Sequence, residues 1–255
     1  MKALLSPTGA VVHSLSLLHA VAGEVKSMGG EYQLSAQVTQ ISGNRVKTNR
    51  DEYQPDYLIN AAGLYSDHIA HMMGIGLNYT IIPFRGEYME VQKIELNSMI
   101  YQAPNLKYPF LSVHLTKMVD GKVLAGPTAT LSLGRESYEK QIQLKETLLM
   151  FGKINFWRLI SSGEFLRLAF HNAKVSLWRS EFLKEIKKLC PSVSKNNISP
   201  YRAGIRAQMV DRKGKLLDDI VVEFHERSAH ILNAVSPGMT SCLAFAEYVV
   251  NQMNS

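Results

Sequence analysis

A chain of 255 residues with 46% hydrophobic and 20% charged residues can bury a sizeable core, which excludes a disordered or fibrous protein. Its 28 Lys and Arg exceed its 22 Asp and Glu by +6, but the densest basic runs, LKEIKKL ending at Leu189 and DRKGK at 211–215, lack interleaved stacking aromatics, so no nucleic-acid partner is expected. The excess suits an anionic small molecule or membrane surface better, and two isolated cysteines, Cys190 and Cys242, point to a reducing, cytoplasmic setting without zinc or another metal.

No window reaches the roughly eighteen continuous apolar residues of a membrane span. The basic, apolar start is interrupted by Pro7, Gly9 and two histidines, which argues against a signal peptide. Leu15, Leu17, Leu18, Val21, Ala22 and Val25 form a helical stripe that predicts a helix over Ser14 to Met28, stopped by Gly29-Gly30. Strands are expected at EYQLSAQVTQI and RVKTN, around the turn Ser42-Gly43-Asn44, and in the run leading to Asn60. From Asn78 to Gly126 the pattern is strand-rich: YTIIPFRGEYMEV, SMIYQ, FLSVHLTKM and KVLAG, with a hairpin at Asp120-Gly121. Helical segments follow over Glu139 to Leu189, broken near Ser161-Ser162-Gly163 and closed by Cys190-Pro191. Strands resume at AGIRAQMV, IVVEF and AHILNA, and a helix from Met239 to Asn251 ends the pattern. The expected organisation is one lobe from residues 1–75 and 200–255, with 76–199 inserted as a second.

Two strand-to-helix turns stand out. In DYLINAAGLYSD, the small residues Ala61, Ala62 and Gly63 end a strand and precede a helix start. Such a turn exposes backbone N–H groups and a helix dipole to a negatively charged ligand, although close helix-to-strand packing alone would also require small residues. In NAVSPGMTSCLAFAEYVV, Pro237-Gly238 makes a second turn, with Thr240 or Ser241 as the expected helix cap. Two such turns in one lobe suit an extended anionic cofactor.

The stretches YLINAAGLYSDHIAHMMG, YTIIPFRGEYMEV, FLSVHLTKMVDGKVLAGPTATLSLGRESY, AGIRAQMV and ILNAVSPGMTSCLAFAEYVV, in this order, resemble the L-2-hydroxyglutarate dehydrogenase/oxidase branch of the D-amino-acid-oxidase-like flavoproteins. The resemblance implies a mixed α+β and α/β fold: an incomplete Rossmann-like FAD lobe and an inserted antiparallel-sheet substrate lobe with helices. The family's opening GxGxxG turn is not found, since MGIGLNY follows a helix pattern and opens none. The chain is therefore expected to correspond to the later part of the architecture. It would need an amino-terminal Gly-rich segment as partner for activity.

The implied cofactor is FAD, with Val38 beside the adenine, Ala61, Ala62 and Gly63 toward the pyrophosphate, and Gly238, Met239 and Thr240 near the flavin ring. The implied reaction oxidises a 2-hydroxy acid, L-2-hydroxyglutarate above all, by hydride transfer to flavin N5. Carboxylates call for the planar arginine fork, so Arg85 and Arg206 are the substrate-binding candidates, helped by Tyr88 and Gln208. The proton acceptor is sought among histidines, with His114 and His13 the candidates in family-like segments. His68 and His71 share a helix face, but no third ligand accompanies them. The electron acceptor is left open, with peripheral contact at the inner face of a membrane as one route to it. Alternative readings are a non-catalytic remnant or binding module, an amino-acid or amine oxidase, or a glycerol-3-phosphate dehydrogenase relative.

Overall fold

The structure, a computed structural model, describes residues 3–103 and 113–253. Helix α1 (Ser14–Ser27) starts where the His13 ring accepts a hydrogen bond from Ser16 N and ends before Gly29, whose φ of +86° is the left-handed stop expected from sequence. None of its residues is buried. The strand expected over Glu31 to Ile41 forms only as β1 (Val38–Ser42), which pairs antiparallel with β2 (Arg45–Thr48) through Gly43. The preceding residues instead make polar turn contacts: Gln37 N donates to Asn49, and Arg50 bonds the Leu34 carbonyl. A short β3 (Glu52–Tyr53) completes this meander.

The strand before Ala-Ala-Gly is β4 (Leu58–Asn60), followed by helix α2 (Ser66–Met72). YTIIPFRGEYMEV divides into β5 (Thr80–Gly86) and β6 (Met89–Val91), which belong to different sheets. The division falls at Gly86, where a Cβ would lie 2.7 Å from the Pro127 ring. Next come β7 (His114–Lys117), β8 (Val123–Gly126) and β9 (Thr130–Leu131), with the expected hairpin at Gly121, φ +85°. SMIYQ contributes an isolated bridge, Ile100 to Leu115, and the expected strand start at Phe110–Ser112 lies outside the described residues.

The helical region holds α3 (Leu144–Phe151), α4 (Ile154–Ile160), α5 (Gly163–Leu177) and α6 (Arg179–Leu189). Ser162 caps α5 by accepting from Phe165 N, which explains the break read at Ser161-Ser162-Gly163. Then follow β10 (Ile198–Pro200), β11 (Gly204–Val210), β12 (Val221–His225), β13 (Ser228–Asn233) and α7 (Cys242–Met253).

Strand pairing partitions the chain. The order β10-β6-β8-β7 forms one antiparallel sheet, covered by α6, whose Phe182 and Ile186 are fully buried with Leu115 and Val175. Each such side chain contributes about 2–3 kcal/mol of transfer free energy. The order β11-β5-β9 forms a second antiparallel sheet, packed through Ile82, Phe84 and Val210 on Met150, Phe156, Leu159 and Phe165 of α3 to α5. Strand β11, which follows residue 200, pairs along its whole length with β5 of the 76–199 segment.

The remaining sheet, β12-β13-β4, is mixed: β12 runs antiparallel to β13, and β13 parallel to β4. Asn60 pairs with His230, so the carboxyl ends of β4 and β13 open on the same edge, and both small-residue turns leave from that edge. Ligand sites of α/β sheets form at such ends.

Candidate active site

The turn after β4 is knit by Asn60. Its Oδ1 accepts from Ala62 N at 3.2 Å, and its Nδ2 donates to the Ser66 carbonyl at 2.8 Å and meets His230 Nδ1 at 3.2 Å. With Ser228 Oγ 3.1 Å from its Nε2, the buried His230 ring is satisfied as a neutral group, and burial lowers its pKa to about 4. Gly63 takes φ +55° with no atom within 4 Å of a would-be Cβ, and Ala61 and Ala62 are exposed. A ligand can therefore reach this backbone. Val38, Ala61 and Ala62 all line one cavity of about 1120 Å³, together with Tyr65, His68 and Lys145. Gly63 stands beside it, at the start of the short 3-10 turn Gly63–Tyr65.

The turn after β13 is closed by Gly238 N donating to the Val235 carbonyl at 2.7 Å. A Cβ on Gly238 would lie 2.9 Å from the Ala234 oxygen and 3.0 Å from that of Val235. Met239 and Thr240 follow, both exposed. Ser241 directly precedes helix α7 and its carbonyl accepts from Phe245 N, but the Thr240 and Ser241 hydroxyls both donate back to the Pro237 carbonyl.

Ala234, Val235 and Ser236 form one wall of a cleft of about 600 Å³, whose other walls carry Tyr88, Tyr101, His114, Thr128 and Arg206. His114 opens β7, and its ring lies 5.0 Å from that of Tyr101 at a 43° tilt. Tyr88 is fixed against Gly126, where a Cβ would come within 2.7 Å of its ring, and burial pushes its phenol pKa up, so it stays a neutral donor. Burial lowers the Arg206 guanidinium from its ordinary value, which leaves a partly desolvated cation in the cleft. Of the sequence candidates, this cleft unites His114, Arg206 and Tyr88.

Three candidates lie elsewhere. Arg85 lies outside the cleft lining, where its Nε and Nη2 donate to the Tyr138 carbonyl at 3.1 and 2.8 Å and its Nη1 pairs with Glu87. Burial would raise the Glu87 carboxyl, but hydrogen bonds from Lys140, Ser176 and Arg85 hold it below the usual range. Gln208 is fully buried in β11, with its Nε2 on the Leu217 carbonyl at 2.7 Å, away from the cleft lining. His13 caps α1 and is absent from that lining too.

Sequence reading missed a pair that joins two walls of the cavity lined by Val38, Ala61 and Ala62. Asp67, at the start of α2, and Arg135, after β9, form a buried two-point ion pair with oxygens at 2.7 and 3.0 Å from the guanidinium. Burial alone would raise the Asp67 carboxyl, but Arg135 and the Ile81 N–H bring it below its ordinary value. Arg135 also bonds the Leu64 carbonyl and Glu146, and Tyr65 donates to Glu136 at 2.9 Å, its pKa pushed up to about 12 by burial and that carboxylate. LYSD and LGRESY both lay inside stretches that carried the resemblance, but nothing in spacing links residues so far apart. Among the described residues no cluster of His, Cys, Asp and Glu could hold a metal ion.

The family model described as FAD dependent oxidoreductase matches residues 1–252. The chain belongs to this family. Its similar relatives include the L-2-hydroxyglutarate dehydrogenase of Salmonella houtenae, 34% identical over 98% of this chain and 61% of that protein. The enzyme of the same name from Indibacter alkaliphilus is 36% identical over 93% and 61%. The chain thus spans about three-fifths of the length of these relatives. Among solved structures, the L-alpha-glycerophosphate oxidase from Mycoplasma pneumoniae with FAD bound superposes with a TM-score of 0.64 at 22% identity, over 93% of this chain and 55% of that one. That likeness bears out the fold expected from the sequence: a flavoprotein architecture of the FAD dependent oxidoreductase family, with antiparallel sheets and helices beside a parallel strand pair.

Proposed function

We propose that this chain forms the substrate cleft and part of the FAD site of a 2-hydroxy-acid dehydrogenase whose substrate is L-2-hydroxyglutarate. The observation that carries the reading is the cleft itself: a desolvated guanidinium, an imidazole and a neutral phenol converge beside the turn that leads to Gly238. The names of its relatives supply the substrate.

The residues suit the cofactor on structural grounds. Open backbone at Ala61 to Gly63 and the cavity shared with Val38 would receive the adenosine and pyrophosphate portion, and the Gly238 turn, with Met239 and Thr240, would face the ring. Bound FAD would supply the hydride acceptor. Arg206 holds the substrate's α-carboxylate by a two-point bond, and Tyr88 donates to the substrate as a neutral partner. His114 accepts the hydroxyl proton at a ring nitrogen as the α-carbon is oxidised. The apolar walls Phe84, Ile205 and Pro127 exclude water from the reacting atoms.

The test is the visible absorption spectrum of the purified chain after incubation with FAD and gel filtration, followed by anaerobic addition of L-2-hydroxyglutarate. It is repeated with an added Gly-rich amino-terminal segment from a relative. Flavin that is retained and then bleached by the L-acid, in either form, supports the reading. No retention in either form, or bleaching by L-glycerol 3-phosphate or amino acids instead, overturns it. Contact with an anionic membrane surface, where an electron acceptor could be met, completes the reading and agrees with the net charge of +6.

A further inference from the structure

The two basic runs read from sequence lacked aromatic neighbours along the chain, but folding supplies them for one. Gly214, in the middle of the 211–215 turn, sits so close to α4 that a Cβ there would be 2.6 Å from the Arg158 carbonyl carbon and from Leu159 N. Arg158 in turn donates to the Arg212 carbonyl at 2.6 Å. The turn is thus docked on the helix that carries Trp157, 51% exposed, and Ile154, 46% exposed. Trp157 is held by its Nε1 donating to the Phe151 carbonyl at 2.7 Å, with the Phe151 ring 6.2 Å away. An open groove lined by Leu148, Leu149, Lys145 and Lys153 extends the same surface along α3.

Cations outnumber acids on this face: Lys145, Lys153, Arg158, Arg212, Lys213 and Lys215 stand with Glu146 and Asp211. Lys145, Lys153, Lys213 and Lys215 make no ion pair among the described residues. Among the acids of these segments, Asp211 accepts the Lys213 and Lys215 backbone N–H groups at 2.8 Å each, Glu146 is bonded to Arg135, and Asp218 and Asp219 follow the turn. Exposed tryptophan, phenylalanine and leucine on segments that also carry lysines without ion pairs match the headgroup boundary of an anionic bilayer, where apolar side chains enter the acyl edge and ammonium groups stay at the phosphates.

We infer that the end of α3, the start of α4 and the 211–215 turn form a docking face for an anionic lipid surface. Trp157 and Ile154 enter the headgroup layer, and Lys153, Lys213 and Lys215 lie over the lipid phosphates. The face gives the membrane contact of the preceding section a location, yet it needs neither flavin nor substrate. It can fail or stand separately from the catalytic reading.

The full chain is mixed with vesicles of phosphatidylcholine alone or with about one-third phosphatidylglycerol added, a content that sets up an attractive surface potential. A Trp178→Phe variant leaves Trp157 as the reporting tryptophan. The expected result is sedimentation with the anionic vesicles alone, a blue shift of Trp157 emission, and release by salt. Lys213→Glu with Lys215→Glu weakens binding at least about tenfold, as does Trp157→Ser, with circular dichroism unchanged in both. Absence of binding to anionic vesicles, equal binding to neutral ones, or full binding by both variants overturns the inference. Displacement from vesicles by an RNA oligonucleotide that depends on the same lysines would assign the face to nucleic acid and overturn it as well.

Discussion

Arg135 grips Asp67 with both terminal nitrogens, at 2.7 and 3.0 Å, where neither side chain is more than a few per cent exposed to water. The pair joins the first turn of α2, just after Ala-Ala-Gly, to the segment that leads into α3. It therefore sets the helix that borders the proposed cofactor cavity.

Breaking that pair leaves one buried charge without compensation. Arg135→Met should cost about 3–5 kcal/mol of stability. Arg135→Met with Asp67→Asn should recover part of the loss, because no lone carboxylate is left buried. Urea unfolding of the three proteins at neutral pH measures this; a loss below about 1 kcal/mol, the range of exposed pairs, would refute it.

His230 and Asp67 both make stability fall with acid, but in separate windows. The His230 folded pKa of about 4 lies below the ordinary imidazole value of 6.5, so the unfolded chain binds the extra proton. Its contribution is full above the unfolded value and is lost as pH falls from there through about 4; the loss is at most on the order of 3 kcal/mol. Asp67 is also depressed, so its contribution begins to fade below the ordinary carboxylate pKa. In His230→Gln the decline between neutral pH and the carboxylate range should flatten, while the more acidic one persists. Unfolding midpoints across pH for both proteins decide it.

Arg206 and Arg85 should behave as opposites. Arg206→Met is expected to weaken binding of 2-hydroxyglutarate or 2-oxoglutarate at least about tenfold, the loss of a charge-assisted contact, with little change in unfolding. Arg85→Met strands Glu87 among fewer partners, so its effect should be read in the melting temperature. Calorimetric titration beside thermal denaturation separates the two, and a stable Arg206→Met protein of unchanged affinity would remove Arg206 from the site.

Gly238→Val should cut FAD affinity by more than tenfold. The added Cβ meets two carbonyl oxygens that belong to the turn itself, so the turn must open. Flavin fluorescence titration of the form that retains FAD checks this. Equal affinity would show that the turn takes no part in holding the ring.

Local signals in the sequence carried the elements well, and long-range ones poorly. The stop of α1 at Gly29, the hairpin at Gly121 and the break at Ser162 each rest on one residue's own chemistry, and each is found. The strand over Glu31 to Gln37 failed because its alternation is spent on exposed polar turns rather than a buried face. His114, Tyr88 and Arg206 line one cleft, and Arg85 lies outside that lining, with a carboxylate two residues on and the Tyr138 carbonyl at its fork. No sequence spacing announces Glu87 as that partner, or Arg135 as the partner of Asp67.

The seven-residue ladder between β5 and β11 also governs how the chain is born. Residues 80–86 pair early with the two residues of β9 on one edge, but the full ladder on the other edge comes only from residues 204–210, so during synthesis that edge must wait until the helical segment between them has left the ribosome. Helices α3 to α6 form from local contacts in the meantime, and Ile82 and Phe84 give them a surface to settle on before β11 arrives to close the sheet.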